Sequence, residues 1–315
     1  MESNNTELIV NSGAAELRQP EETKYVLHRR FDRMGRLIGD PNMQKLFNSH
    51  VMIIGIGGVG SWAAESLARS GIGQLTLVDF DEICITNGNR QLHALQGLVG
   101  KKKATVMSER LRKINPQSTV TDLPIFYSAE TSVQILSHKP DFVIDCIDNM
   151  TAKSHLIATC KKMGIPVIAS TGASAKLDPS KVKVMDLSQT HTDPMAHQLR
   201  KILRSEYGFP EKGTFEVPCV FSDEAPLAPE DLTYDNGEGF KCVCPQGQNN
   251  QHSCDRRRVI YGTSSFVTGT FGLFMAAHVV EKLIDRSVLK TIKEHFPAAK
   301  VAVKDAFHET TRGLN

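Results

Sequence analysis

Val51-Met52-Ile53-Ile54-Gly55-Ile56-Gly57-Gly58-Val59-Gly60 is the stretch on which the fold turns. Four apolar residues in a row read as a buried strand, and a helix is predicted from Ser61 to Ser70. Between them Gly55, Gly57 and Gly60 fall at the spacing of a dinucleotide loop, with Gly58 as an additional glycine. Glycine is needed there because the chain turns sharply and a phosphate must approach the backbone closely. The next helix then offers unpaired N–H groups and the positive end of its dipole. Asp79 ends the next strand, predicted at Gln74 to Val78, where an acid can accept hydrogen bonds from ribose hydroxyls. The pattern predicts a nucleotide site but does not by itself separate NAD from ATP.

Outward from this unit, strands and helices alternate. Strands are expected near 120–124, 141–145 and 166–169, and helices over 101–114, 131–137 and 151–163. Apolar strands between helical stretches imply an α/β fold, a Rossmann-like, mainly parallel sheet with helices on both faces. Upstream, residues 1–24 read as a flexible tail and 25–48 as helical, with Phe31, Leu37 and Phe47 as candidate core positions. Downstream, a strand is expected over 181–186 and a helix over 193–207. Residues 209–255, rich in Pro, Gly and Cys, read as long loops, and 259–284 as the last large helix. The expected organisation is therefore one main domain over 25–285, with a nucleotide-binding half at 50–170 and a substrate or loop half at 171–285. Residues 286–315 form an extension of mixed signal.

The 315 residues are 40% hydrophobic and 23% charged, with a formal net charge of +2. That is ordinary for a globular protein, and any nucleic-acid surface would have to be a local patch. The polar, Glu-containing N-terminus has neither the apolar run of a signal peptide nor the basic character of a transit peptide, and the apolar run 266–280 is too short to span a bilayer. The expectation is a cytoplasmic protein without membrane contact. The seven cysteines, an odd number, fit a reducing compartment.

The residues beyond Asp79 favour ATP. The runs Asp79-Phe80-Asp81, Asn87-Gly88-Asn89-Arg90-Gln91, Gly100-Lys101-Lys102-Lys103 and Asp145-Cys146-Ile147-Asp148-Asn149 stand in order along the chain. Attack of a carboxylate on the α-phosphate builds charge on phosphate oxygens, so fixed cations are needed beside them. Arg90 and Lys103 are suited to that. Asp148, just past a strand end, is suited to holding Mg²⁺ against the phosphates. Taken singly, Arg90 and Lys103 would more often be solvated charges and Asp148 a helix cap.

Over about residues 29–285 these runs, with Gly58, resemble the ubiquitin-activating-enzyme superfamily, the ThiF/MoeB/HesA type of adenylating enzyme. The resemblance implies ATP and Mg²⁺ as cofactors. It implies a nucleotide site of Gly55, Gly57, Gly58, Gly60, Asp79, Asp81, Asn87, Arg90, Gln91 and Lys103, with Asp148 on the metal. It also implies a homodimer in which an N-terminal arginine reaches the neighbouring subunit's site. Arg33 and Arg36 both fit that role, and the sequence does not choose between them.

Within the superfamily, Gly58-Val59-Gly60-Ser61-Trp62-Ala63-Ala64-Glu65, Arg69-Ser70-Gly71-Ile72-Gly73, Thr86 to Leu95, Val217 to Ser222 and Phe266 to Gly272 resemble the tRNA threonylcarbamoyladenosine dehydratase branch. The implied reaction is ATP-dependent cyclisation of the modified adenosine at position 37 of tRNA through an adenylated carboxylate. Three other readings stay open: adenylation of the C-terminal glycine of a ubiquitin-like sulfur carrier, a nucleotide-binding scaffold subunit without turnover, and an NAD-dependent dehydrogenase. Basic clusters at 101–103, 256–258 and Arg200, Lys201 and Arg204 could follow a phosphate backbone, though on composition alone ordinary solvated surface is the better explanation.

Cys219 reads as a loop-like thiol, and relatives that move sulfur imply a covalent role there and a cysteine desulfurase or similar acceptor system as a partner; a small buried apolar residue is the simpler reading of it. Cys242, Cys244, His252 and Cys254 supply four soft ligands for zinc. Their spacing lacks the paired C-x-x-C of sulfur-carrier-activating relatives.

Overall fold

The computed structural model describes residues 26–230, 232 and 260–295. Its centre is a seven-stranded sheet in the order β3-β2-β1-β4-β5-β7-β6. The strands are β1 (His50–Ile54), β2 (Gln74–Val78), β3 (Thr119–Leu123), β4 (Phe142–Asp145), β5 (Val167–Ser170), β6 (Val182–Asp186) and β7 (Pro218–Ser222). Neighbours run parallel except β6 and β7, which are antiparallel. The helices of the main body are α1 (Asp32–Ile38), α2 (Asp40–Asn48), α3 (Gly60–Ser70), α4 (Lys103–Ile114), α5 (Ala129–Leu136), α6 (Met150–Met163), α7 (Pro194–Tyr207) and α8 (Ser265–Leu283).

Alternation along β1 explains why its whole run is apolar. Val51 and Ile53 enter a core shared with α3, α4 and α8, whereas Met52 and Ile54 enter a second core shared with α5, α6 and α7. Both cores draw on residues before and after 170, so one sheet runs through both of the expected halves. From β1 the chain builds outward through β2 and β3, then returns to β4 on the other side. That reversal opens a crevice beyond the C-terminal ends of β1 and β4, where open α/β sheets bind ligands.

Two devices shape the crevice. At Gly60 an added Cβ would lie 1.9 Å from the Gly55 carbonyl oxygen, so the loop closes on itself only with glycine there. Gly55 has φ +92, and an added Cβ would meet the Cys146 carbonyl at 2.6 Å. On the outer side α8 lies against α3: Gly272 approaches the Val59 carbonyl and Gly269 the Trp62 ring, so small residues let the two helices pack closely.

Three expectations need correcting. Leu37 is 71% exposed rather than buried, because Phe31, Met34 and Ile38 carry the inward face of its segment. Phe47 is only half-buried. The stretch expected to be loop contains β7, a central strand between β5 and β6. Among the described residues no helix is long and apolar enough to cross a membrane. Cys242, Cys244, His252, Cys254 and the 256–258 cluster lie outside the described residues, as does the 1–24 segment.

Candidate nucleotide and adenylation site

The loop after β1 is fixed by Asp79. Its Oδ2 accepts from the Ile56 N–H at 2.6 Å and its Oδ1 from the Asp81 N–H at 2.8 Å. One carboxylate at the end of β2 thus ties the glycine loop to the chain leading to Asp81. Burial pushes the Asp79 carboxyl up, and Lys103 opposes that shift.

Lys103 opens α4 and is 7% exposed. Its Nζ donates to Asp81 Oδ2 at 2.7 Å, and its backbone N–H donates to the Asp81 carbonyl at 3.0 Å. Burial works against the ammonium charge, but the Asp79 and Asp81 carboxylates outweigh it and hold the lysine pKa above its ordinary value, with Asp148 adding to the same effect. Lys103 is therefore a fixed cation at the mouth of the glycine loop.

Asp148 reaches this field from the facing loop. It is exposed, and the cap of α6 is Asn149, whose Oδ1 accepts from the Ala152 N–H at 3.0 Å. The capping explanation for Asp148 therefore falls away. Among the described residues no cluster of three or more acids, histidines or cysteines could hold a metal alone. The donor set fits Mg²⁺, which usually takes one or two carboxylates and completes its shell with phosphates and water.

Arg90 lies along the glycine loop. A Cβ added at Gly58 would be 3.3 Å from Arg90 Cγ and equally close to Thr268 Cγ2 of α8. Its guanidinium donates to the Thr86 carbonyl and to Asn89 Oδ1, both at 2.9 Å, and its carbonyl accepts from the Trp62 indole at 3.2 Å. Gln91 is buried, its Nε2 faces Gly57, and its Oε1 has no partner among the described atoms. Asn87 is also buried; its Oδ1 accepts from the Cys84 N–H at 3.0 Å and braces the turn that carries Arg90.

The remaining candidates lie elsewhere. Arg33 and Arg36 sit on α1, which packs toward the Ser66 and Ser70 end of α3, away from its own glycine loop; Arg36 pairs with Asp32 at 3.0 Å. Cys219 is not a loop thiol. It is fully buried on β7, donates toward the Thr171 hydroxyl and the Val220 carbonyl, and burial pushes its pKa up to about 12. A covered, protonated thiol is not placed to act as a nucleophile.

The model of the ThiF family matches residues 31–313. The chain belongs to the ThiF family. It is 40% identical over 261 residues to the tRNA threonylcarbamoyladenosine dehydratase of Escherichia coli K12, covering 82% of this chain and 95% of that protein. It is 40% identical to the Bacillus subtilis 168 enzyme of the same name over 270 residues, 85% of this chain and all of that one. The crystal structure of the E. coli dehydratase TcdA in complex with ATP matches with a TM-score of 0.70 at 38% identity, covering 82% of this chain and 97% of that one. The family-level resemblance and the α/β fold are therefore as expected.

Sequence reading missed Lys153. It is 0% exposed on α6, and its Nζ donates to Asp145 Oδ2 at 2.7 Å. Asp145 also accepts the Ile147 N–H at 3.0 Å, and the Asp145 carbonyl accepts from the Ser170 hydroxyl at 3.3 Å. This pair anchors the start of the loop that presents Asp148, and Asn149 anchors its end. A signal existed: Lys153 precedes Leu156, Ile157 and Cys160 at helical spacing, so it stands on an apolar stripe.

Proposed function

We propose that this protein is an ATP-dependent tRNA threonylcarbamoyladenosine dehydratase acting at adenosine 37. The observation that carries the reading is the convergence of Lys103, Arg90 and Asp148 on the glycine loop, in a ThiF-family chain of this degree of similarity to the dehydratases. The threonyl carboxylate attacks the α-phosphorus of ATP and pyrophosphate leaves. The loop N–H groups receive the phosphates, and Lys103 and Arg90 balance the charge that develops. Mg²⁺ held by Asp148 would neutralise phosphate charge and orient the leaving group. The carbamoyl nitrogen, already tethered to the same residue, then loses its proton, displaces AMP and closes the ring, with net loss of water. A cytoplasmic location goes with a tRNA substrate.

Two parts of the wider expectation fare differently. The outer face of α8 exposes Phe266, Leu273 and Phe274, and α1 exposes Leu37, which supports a homodimer closing over these helices. Sedimentation as a monomer at micromolar concentration would remove that part. Sulfur transfer is not included, because the thiol it would rest on, Cys219, is covered. The function is tested by mass spectrometry of nucleosides after tRNA bearing N6-threonylcarbamoyladenosine is incubated with ATP and the protein. The expected product is lighter by one water. An unaltered nucleoside, with ATP–pyrophosphate exchange stimulated instead by a sulfur carrier, would replace this reading.

A further inference from the structure

A groove of about 440 Å³, outside the nucleotide site, is lined by His197, Arg200, Lys201, Arg204, Ser205 and Glu211. It runs along α7, whose beginning is tied to the sheet edge where substrate must enter. The cap residue Asp193 accepts from the Ala196 N–H at 2.8 Å and from the Thr171 hydroxyl at 3.2 Å, and Thr171 directly follows β5. From there the cations recur at helical spacing, and Arg204 stands about 16 Å along the axis from Asp193. The positive groups thus form a row leading away from the end of β5 rather than a single pocket.

These cations are held without strong neutralisation. Arg200 donates to the Thr190 hydroxyl at 2.5 Å. Arg204 lies over the Phe215 ring at 5.1 Å and donates to the Pro210 carbonyl at 3.2 Å. The carboxylate in the groove, Glu211, is 3.7 Å from Arg204 on a side chain that is 83% exposed, which makes it a weak, screened partner. Burial and the nearby Arg204 lower the Arg200 pKa, with Asp193 acting the other way. Ring stacking and a carbonyl at Arg204, and a hydroxyl at Arg200, fix where the guanidiniums point without neutralising them, an arrangement suited to phosphate oxygens.

We propose that the α7 groove is a docking surface for the phosphate backbone of RNA, holding substrate tRNA while its modified base enters the adenylation site. This rests on the tRNA reading above. A row of cations starting at the substrate edge suits a strand of phosphates, whereas a free anion would need one converging pocket.

The experiment measures tRNA binding and dehydration by the full-length protein and two variants at several salt concentrations. The double variant Lys201→Glu/Arg204→Gln is expected to weaken tRNA binding about tenfold and to lower the slope of log Kd against log salt by about 2. It should raise KM for tRNA while kcat at saturation stays within about twofold. Glu211→Gln, at an exposed side chain whose loss does not threaten folding, is expected to tighten tRNA binding by about two- to threefold, an effect that a merely structural role would not produce. Absence of tRNA binding by the unaltered protein, or unchanged Kd and salt slope in both variants, would overturn the proposal. So would a loss confined to inorganic phosphate binding. If the unaltered protein binds tRNA through this groove but never dehydrates it, the docking surface stands and the dehydratase reading fails.

Discussion

Two glycines of the same loop do different jobs, and substitution separates them. At Gly60 an added Cβ would sit 1.9 Å from the Gly55 carbonyl oxygen. Gly60→Ala must displace backbone, and a loss of about 3 kcal/mol in unfolding free energy is expected in denaturant titration. At Gly57 the nearest atom to an added Cβ is Gln91 Nε2 at 3.9 Å, so the fold has room. Gly57→Ala should keep its Tm within about 2 °C and weaken ATP about tenfold in calorimetry, because the methyl occupies space the phosphates need. Equal affinity for ATP would mean that the phosphates do not lie against Gly57. Asp148 is an exposed side chain outside the α6 cap, so Asp148→Ala should remain folded. It should lose ATP–pyrophosphate exchange by about 100-fold or more. Exchange at the normal rate would remove Asp148 from the metal site. The proposed site was readable in the sequence because a phosphate-binding role would restrict what can stand at these positions. Whether Asp148 was a cap was not legible, since Asn149 beside it is an equally good N-cap and only the helix start decides.

At the level of elements, β7 and α6 show where sequence patterns stop being informative. Residues 217–221 are apolar, but the longer stretch around them is rich in Pro, Gly and Cys, and a short interior strand leaves no period to measure. Its partners are far away in the chain: Ala169 and Ser170 on one side and 182–186 on the other. Only the assembled sheet specifies it. The same holds for Lys153, whose partner Asp145 belongs to β4. By contrast, α3, α4 and α6 begin and end close to where their glycines and patterns predict. Breaking the Lys153–Asp145 pair from one side leaves an uncompensated buried carboxyl. Lys153→Met is therefore expected to lower stability by about 3–5 kcal/mol. The double variant Lys153→Met/Asp145→Asn removes both charges and should recover much of that loss in urea titration. Adenylation should stay impaired in the double variant, because the loop to Asp148 has lost its anchor; kcat should fall more than ATP affinity. A double variant with full kcat would make the pair a packing feature only.

For the whole molecule, acid should destabilise the fold before the carboxylates that ion pairs hold low titrate, and His93 is a main cause. His93 is 1% exposed, and neither ring nitrogen has a partner among the described atoms. Burial, with the charges of Lys103 and Arg110, holds its pKa down to about 3. Burial also lowers His50 and His278, both less enclosed. In the unfolded chain each of these rings takes up a proton near pH 6.5. Between that pH and the depressed folded value the unfolded state binds more protons, so unfolding free energy falls as pH falls. The His93 contribution is complete above about pH 6.5 and declines by about 1.4 kcal/mol per pH unit below it. Carboxylates held low by partners, such as Glu65 between Arg69 and Arg110, add their own loss only at lower pH. Asp79 and Asp145, whose carboxyls burial pushes up, take up protons in the folded state and oppose this loss, so the His93 share is read by comparing urea titrations of the parent and a variant between pH 7 and 5. His93→Gln cannot titrate, so its stability should depend on pH less steeply than that of the parent by about that amount, whatever its absolute stability. Parallel pH profiles for the two proteins would mean that His93 gains a proton, or a bound water that shares one, without leaving the folded state.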